Sequence, residues 1–188
     1  MNGLRLALTV IFFSVMGYMW QSLKDNRTPI TPNSSPSTTK PDFVAINLTR
    51  TLYDSDGQRT QRLSADKMTF YKAQNKAEFQ SPLLILQSSE NKGRWRISSQ
   101  SGILYNNQRL ILEQNVNAVN LTLTDPISQI TGEHIRVDTK ASTMHSKYPV
   151  NLYGDGIMIT GSEMTADLNQ EHIELKKHAK TIYQPQSN

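Results

Sequence analysis

Four histidines are the side chains of this 188-residue chain best suited to binding a metal ion or transferring protons. His172 and His178 are six positions apart, so on one extended strand they would share a face but lie about 20 Å apart, too far for one metal ion. His134 and His145 have no histidine or carboxylate at a recognised ligand spacing. We therefore interpret His134 and His145 as surface or structural residues, and His172 and His178 could share a metal ion only with a turn between them.

Two short motifs match known binding loops only in part. Asp54-Ser-Asp56-Gly57 begins like a calcium loop, but the twelfth position is Ala65, where a glutamate is required, so an Asp-Gly turn fits better. No helix is predicted after Gly154-x-Gly156 to hold a phosphate, which makes it a turn as well. The sequence contains no cysteine and no Walker, G-x-S-x-G or H-E-x-x-H motif. We predict a protein that is not an enzyme, with no catalytic residues, no metal site and no cofactor.

The charge of the chain argues against a nucleic-acid partner. The formal net charge is +4, but the excess lies mainly at or before Lys40. From Asp42 to Asn188 there are 16 basic and 15 acidic residues with the two signs interspersed. Such a segment offers no continuous basic stripe for a phosphate backbone.

The first part of the chain predicts a membrane anchor. From Leu6 to Leu23 there are 18 consecutive uncharged residues, which as a helix would cover about 27 Å, close to the hydrocarbon thickness of a bilayer. A cleaved signal peptide is the alternative, but no small-residue cleavage site follows, and Tyr18 and Trp20 suit a membrane interface. We predict a cytoplasmic end at residues 1–5 and a transmembrane anchor at residues 6–23. The short leading flank favours a cytoplasmic N-terminus, although charge alone does not decide the orientation.

The rest of the chain divides into a tether and a domain. Residues 24–41 contain four prolines among Ser, Thr and Asn and cannot bury a core, so we expect an extended tether. Residues 42–188 form the predicted domain.

Within this domain, apolar residues alternate with polar ones, which is typical of half-buried antiparallel strands. Turn signals at Asp56-Gly57, Asn106-Asn107, Asp125-Pro126 and Asp155-Gly156 separate the runs. The sequence therefore predicts an all-β domain. The runs are Trp95-x-Ile97, Leu110-x-Leu112, Val119-x-Leu121-x-Leu123, Ile135-x-Val137, Val150-x-Leu152, Ile157-x-Ile159, Met164-x-Ala166-x-Leu168 and Ile173-x-Leu175.

A weak internal repeat accompanies the alternation. Pairs such as Ala77-x-Phe79 and Leu110-x-Leu112 are each followed by an apolar or small residue. These following residues are Leu83, Val116, Val150 and Ala179, at spacings of 33, 34 and 29 positions. A repeated hairpin-like unit predicts an elongated sheet stack, in which each unit buries its apolar face against the next. The apolar faces could form either an ordinary core or a trough for long acyl chains.

An ordered set of segments carries a resemblance to a known family. The segments are Leu52-Tyr53 before Asp56-Gly57, Leu63-Ser-Ala65, Phe79-Gln-Ser-Pro82-Leu83, Trp95-Arg-Ile97, Leu152-Tyr153-Gly154 and the stretch from Met164 to Tyr183. Together with the anchor and tether, they resemble the LptC family of the lipopolysaccharide transport system over essentially the full length. The resemblance implies a twisted, open β-jelly-roll, or boat-like sheet stack, behind one N-terminal transmembrane helix in the inner membrane.

The resemblance also implies a function and partners. The chain would receive lipopolysaccharide from an LptB/LptF/LptG transporter through its N-terminal edge, with the anchor as a second candidate contact, and pass it to LptA through its C-terminal edge. The alternative is a membrane-anchored periplasmic scaffold that binds only protein. The expected lipid-groove residues are Leu48, Leu63, Ala65, Phe79, Trp95, Ile97, Leu112, Val137, Ile173, Leu175 and Tyr183. The expected partner-edge residues are Phe43, Leu52, Gly154, Ile173, Ala179 and Tyr183.

Overall fold

The computed structural model of the chain describes residues 40–87, 93–122 and 126–183. The predicted anchor and almost all of the predicted tether lie outside these ranges and stay predictions. In the described ranges, no helix is long and apolar enough to cross a membrane.

Twelve antiparallel strands and one 3-10 turn build the described domain, which confirms the predicted all-β class. The turn η1 covers Lys72–Gln74. The strands are β1 (Phe43–Tyr53), β2 (Arg59–Tyr71), β3 (Lys76–Gln80), β4 (Leu83–Gln87), β5 (Arg94–Ser98), β6 (Ser101–Tyr105), β7 (Arg109–Asn120), β8 (Ile127–Asp138), β9 (Thr143–Ser146), β10 (Val150–Gly154), β11 (Ile157–Asp167) and β12 (His172–Tyr183).

The strands follow one another as a meander of bent segments. β3 with β4, β5 with β6, and β9 with β10 each form one segment interrupted by a break of two or three residues, because both members of a pair lie between the same neighbours. Each segment then pairs only with the segments before and after it in the chain. β1 and β12 are consequently the two end strands of the sheet.

Every segment bends near its middle, so the sheet folds over into two facing layers. Layer one contains β4, β5 and β10 with the halves of the long strands that pair with them, and layer two contains β3, β6 and β9 with the other halves. The β5 residue Trp95 and the β12 residue Ile173 line the same cavity although several strands separate them along the sheet. Only a folded sheet brings them together, because each intervening strand adds about 4.8 Å.

The bends are made by residues in unusual conformations and by register shifts. Asn47 in β1, Gln114 and Asn115 in β7, and Glu163 in β11 have positive φ angles between 53° and 65°. β7 and β8 shift register at the same level, between Glu113 and Val116. Such bulges turn a strand sharply, which lets its two halves join different layers.

The core lies between the two layers. Its central side chains are fully buried, with Ile97, Leu112, Ile135 and Val137 at 0% exposure. Because apolar and polar residues alternate along each half-strand, these side chains point to the inner face, as predicted. The predicted run Val119-x-Leu121-x-Leu123 is the exception. Ala118, and not Val119, is the buried residue there, and Leu123 lies outside the described ranges.

The predicted repeat corresponds to two bent segments. Leu83 and Val150 begin β4 and β10, which are the layer-one halves of their segments, and Val116 follows the bend in β7. Ala179 lies in β12. In the structure, the unit that repeats along the meander is a pair of bent segments in place of the predicted hairpin-like unit.

Gly154 is not at a sheet edge, so the prediction that it forms part of a partner edge is wrong. It ends β10 and lies between Ile157 of β11 and Ile127 of β8. A Cβ atom at this position would overlap the carbonyl oxygen of Pro126 and lie 2.8 Å from Cγ2 of Ile157. Glycine is needed here because two backbones approach closely.

We expect Gly154→Ala to lower the free energy of unfolding by about 3 kcal/mol, because the new methyl group forces backbone to move. Gly57→Ala is the matched control. Gly57 has a φ of 76° but open space around it, so alanine there should cost only about 1 kcal/mol of conformational strain. Urea unfolding followed by circular dichroism measures both. Equal losses would show that close approach does not explain Gly154.

Candidate functional site

The predicted groove residues divide into three groups by position. Most of them point into the interior and are buried: Leu63, Ala65, Phe79, Trp95, Ile97, Leu112 and Val137. Leu48, Ile173 and Leu175 are only partly buried and pack against the outside of the core cluster. Tyr183 differs from the rest, because 75% of its surface is exposed at the end of β12.

This division follows from the meander. A side chain in a central segment has neighbours on both sides and the opposite layer above it. Leu48 belongs to β1, and Ile173 and Leu175 belong to β12, and each of these strands has a neighbour on one side only. The apolar interior is therefore covered in the middle of the stack and incompletely covered at its two ends.

One cavity opens between the layers near the β12 end. It has a volume of about 240 Å³. Trp95, Pro126 and Ile127 line it from layer one, and Leu168 and Ile173 line it from layer two. The backbone N–H of Leu168 donates a hydrogen bond of 3.0 Å to the carbonyl oxygen of Ser142, which fixes the turn after β11. Two of the predicted groove residues, Trp95 and Ile173, line this cavity.

A second cleft lies between the layers nearer the β1 end, and the sequence reasoning missed it. Its volume is about 390 Å³, and leucine, carboxamide and hydroxyl side chains line it. The lining residues come from the ends of β1, β2 and β4 and from the two turns before β7 and β9. Single polar residues in turns carry no periodic signal, which is why the alternation did not indicate the cleft.

The strand ends opposite the bends form the open edge of each layer, and hydrogen bonds connect the turns within each open edge. In layer two, turn is bonded to turn: Asn106 N–H donates to Asn75 O at 3.1 Å, and Thr139 N–H donates to Gln108 O at 3.0 Å. In layer one, Leu121 N–H donates to Arg94 O at 2.7 Å. Each of these hydrogen bonds joins two residues of the same layer.

The end strands carry the remaining predicted partner residues. Phe43 and Leu52 lie on β1, while Ile173, Ala179 and Tyr183 lie on β12. At the start of β1, Phe43, Val44 and Ile46 are exposed apolar residues, and the ring of Phe43 lies 5.0 Å from that of Phe70. On β12, Lys177 forms an exposed ion pair of 2.6 Å with Glu163. The start of β1 thus presents exposed apolar side chains, whereas β12 carries an exposed ion pair and the exposed ring of Tyr183.

The polar outer face offers little chemistry of its own. Burial and the nearby charge of Arg136 lower the pKa of His145 below its ordinary value, so that this ring is neutral at pH 7. Burial would raise the pKa of Asp138, but hydrogen bonds from Ala141 N–H, the Gln108 side chain and Lys140 N–H lower it below its ordinary value. Asp138 therefore acts as a turn acceptor. Over residues 40–87, 93–122 and 126–183, no three His, Asp or Glu side chains are grouped as metal ligands.

Comparison with known proteins identifies relatives over most of the chain. A family model described as lipopolysaccharide-assembly, LptC-related, matches residues 6–184. Relatives include the lipopolysaccharide export system protein LptC of Haemophilus influenzae, which is 26% identical over an alignment of 161 residues, with 77% of this chain and 77% of its own chain covered. Another is the protein of the same name from Escherichia coli K12, 24% identical over 87% of this chain and 84% of its own.

A solved structure shares the fold. LptH of Pseudomonas aeruginosa is described as the LptA-homologous periplasmic component of the lipopolysaccharide transport device. It superposes with a TM-score of 0.53 and 11% identity, covering 66% of this chain and 95% of its own. At this identity the likeness concerns the fold alone, and it agrees with the expected jelly-roll type of architecture.

Proposed function

The chain belongs to the LptC-related family of lipopolysaccharide-assembly proteins, and from this premise we propose that it transports lipopolysaccharide across the periplasm between its two sheet layers. The observation that carries the proposal is the apolar interior, which runs through the stack and is incompletely covered at both ends. Each buried methylene of an acyl chain contributes about 0.8 kcal/mol, so several chains can be held without any polar recognition. The protein contributes no catalysis, and energy comes from a partner.

Lipid entry requires the two layers to separate, because the central interior is filled by side chains. The hydrogen bonds described above for the open edges each join residues of the same layer. Separation would therefore cost interlayer side-chain packing while the strand ladders stay intact. The bends of the long strands are the natural hinges for this motion. Acyl chains that enter would replace the lost apolar contacts.

We place the domain in the periplasm, attached to the inner membrane by residues 6–23 with the N-terminus in the cytoplasm. The uncharged segment supports this arrangement by its length. The family match supports it as well, because it begins at residue 6 and so includes the segment.

The two end strands would serve different partners. An end strand has unpaired backbone N–H and C=O groups that can pair with a strand of another protein. The tether leads directly into β1, so β1 would face the LptB/LptF/LptG transporter, and its exposed Phe43, Val44 and Ile46 would be covered there. β12, at the other end of the meander, would then pair with LptA. Lys176, Lys177 and Lys180 are exposed there and would keep the free edge soluble.

A scaffold that binds only protein is the second candidate, and the filled central interior favours it. The two functions differ in one measurable respect. A transporter must admit lipid to the interior, whereas a scaffold needs only its edges.

A photoreactive amino acid at Phe79 should crosslink to lipopolysaccharide in energised membranes, because Phe79 faces the interior. The neighbouring Glu78 is the control. It lies on the outer face, where it forms an ion pair of 2.9 Å with Lys76, and it should not crosslink. Ile173 should also crosslink, whereas the adjacent His172 lies beside a cavity and is a less clean control. Equal capture at Phe79 and Glu78 would exclude the interior as the lipid path, and capture of protein alone would favour the scaffold.

Deleting residues from Glu171 onward, or substituting Leu175→Pro, should abolish co-purification with LptA and leave binding to the transporter intact, because both changes remove backbone pairing at β12 only. Arg50→Pro in β1 is the matched change at the other end and should have the opposite effect. Circular dichroism checks that each variant is folded. If the folded β12 variants lost the transporter and kept LptA, the direction of transfer proposed here would be reversed.

A further inference from the structure

Four polar side chains are buried among the described residues, and they fall into two pairs. Asn120 and Ser146 have hydrogen-bond partners: the Ser146 hydroxyl donates to His134 O at 2.8 Å and accepts from Tyr148 N–H at 3.2 Å, and Asn120 accepts from Thr122 N–H at 2.8 Å. Gln61 and Ser142 are as deeply buried, at 6% and 5% exposure. Their side chains have no hydrogen-bond partner among the described residues.

The two unpartnered side chains line the same cleft. Gln61 reaches the second cleft, of about 390 Å³, from layer one, and Ser142 reaches it from layer two. An unpaired buried amide or hydroxyl costs about 1–3 kcal/mol, so such groups are rare in folded proteins unless a ligand, an ion or an ordered water satisfies them. Two of them facing one space indicate a shared polar partner.

The rest of the lining shows what kind of partner fits. We call this site the amide cleft, because Gln61, Gln87, Asn106, Asn107 and Gln108 all line it. Thr60, Thr139 and Ser142 add hydroxyl groups, Lys140 adds one cation, and no carboxylate is present among the lining residues. Neutral side chains that both donate and accept hydrogen bonds suit hydroxyl and amide groups, which are the groups that a sugar ring carries.

The amide cleft adjoins the apolar core. On β2, Gln61 is followed on the same face by Leu63 and Ala65, which are core residues. Leu52 and Leu86 line the cleft as well. The polar lining thus begins where the apolar interior ends, and a molecule with a sugar head and acyl tails would match both regions at once.

We propose that the amide cleft binds the saccharide portion of lipopolysaccharide, with Gln61 and Ser142 as its buried hydrogen-bonding residues. The inference rests on the proposed function, because it assumes that the acyl chains occupy the neighbouring interior. It assigns to the site a selectivity for glycolipids over simple lipids that an apolar interior alone cannot provide.

The test compares two probes on the full chain in membranes, with capture by a photoreactive amino acid at Phe79 as the readout. One probe is lipid A, which carries sugar and acyl chains, and the other is a labelled long-chain fatty acid. Gln61→Leu and Ser142→Ala should each raise the half-saturating concentration of lipid A by about threefold to tenfold, the value of one uncharged hydrogen bond. Neither should change that of the fatty acid.

Ser146→Ala is the matched control, because Ser146 is buried to the same extent but has its hydrogen bonds made within the domain. It should lower Tm and leave both probes unaffected. Gln61→Leu should instead raise Tm by several degrees, because it removes an unpaired buried amide. A gain in stability with a loss of lipid A binding distinguishes a ligand-binding residue from a structural one.

The outcomes separate the saccharide site from the proposed function. If the variants weaken both probes equally, or neither, while the parent chain binds both, the amide cleft is not a saccharide site and the proposed function stands. The saccharide site is also excluded if lipid A binding is unchanged and only Tm rises, since the two groups would then be solvated by water alone. If the parent chain captures neither probe at Phe79, the proposed function itself is contradicted, and the saccharide site, which rests on it, is contradicted with it.

Discussion

The structure depends on one constraint: each strand segment has a single apolar face, and only its neighbours and the opposite layer can cover it. A flat meander would leave that face in water. Folding every segment at its middle turns the two halves of the face toward each other, so that Leu112 and Val137 become fully buried without any helix or second domain in the described residues. At the ends of the stack, folding the strands in this way cannot cover their apolar faces completely. β1 and β12 each lack one neighbour, so Leu48, Ile173 and Leu175 stay half covered and one backbone edge of each end strand stays unpaired. The incomplete ends are therefore a consequence of the fold itself, and they are the features on which both lipid transfer and partner pairing would depend.

The proposed function needs no cluster of reactive side chains. Binding energy for an acyl chain scales with the apolar area that is covered, which makes the interior tolerant of chain number and length. Such an interior holds lipid but discriminates poorly among lipids. Hydrogen bonds placed at the rim, as in the amide cleft, would supply discrimination, because leaving a buried amide unpaired carries a cost that only the correct ligand removes. The apolar interior would thus determine how much lipid is bound, and the polar rim would determine which lipid is preferred.

The sequence was sufficient for the parts of the fold that repeat. Period-two alternation identified the strands and most inward residues, and the spacing of Leu83, Val116 and Val150 gave the repeat. The bends were missed because Asn47, Gln114, Asn115 and Glu163, rather than glycines, adopt positive φ angles there. A signal was nevertheless present. Ile130 and Ile135 both face the interior although they are an odd number of positions apart, and the same change of phase separates Ala65 from Met68. A strand whose apolar residues face the interior on both sides of such a change of phase must contain a bulge. No comparable pattern in the sequence indicates the amide cleft, because turns that are distant in sequence form it.

Separation of the two layers to admit lipid is the central claim, and a distance across the opening tests it most directly. Arg94 at the start of β5 and Ala73 in the turn η1 lie at the layer-one and layer-two tips, and the chain has no cysteine to interfere with spin labelling at these two sites. Pulsed electron paramagnetic resonance on the doubly labelled full chain, with and without lipopolysaccharide, gives the distribution of distances between the tips. We expect a shift to longer distances when lipopolysaccharide is bound. An unchanged distribution in a sample that demonstrably contains bound lipopolysaccharide would contradict layer separation.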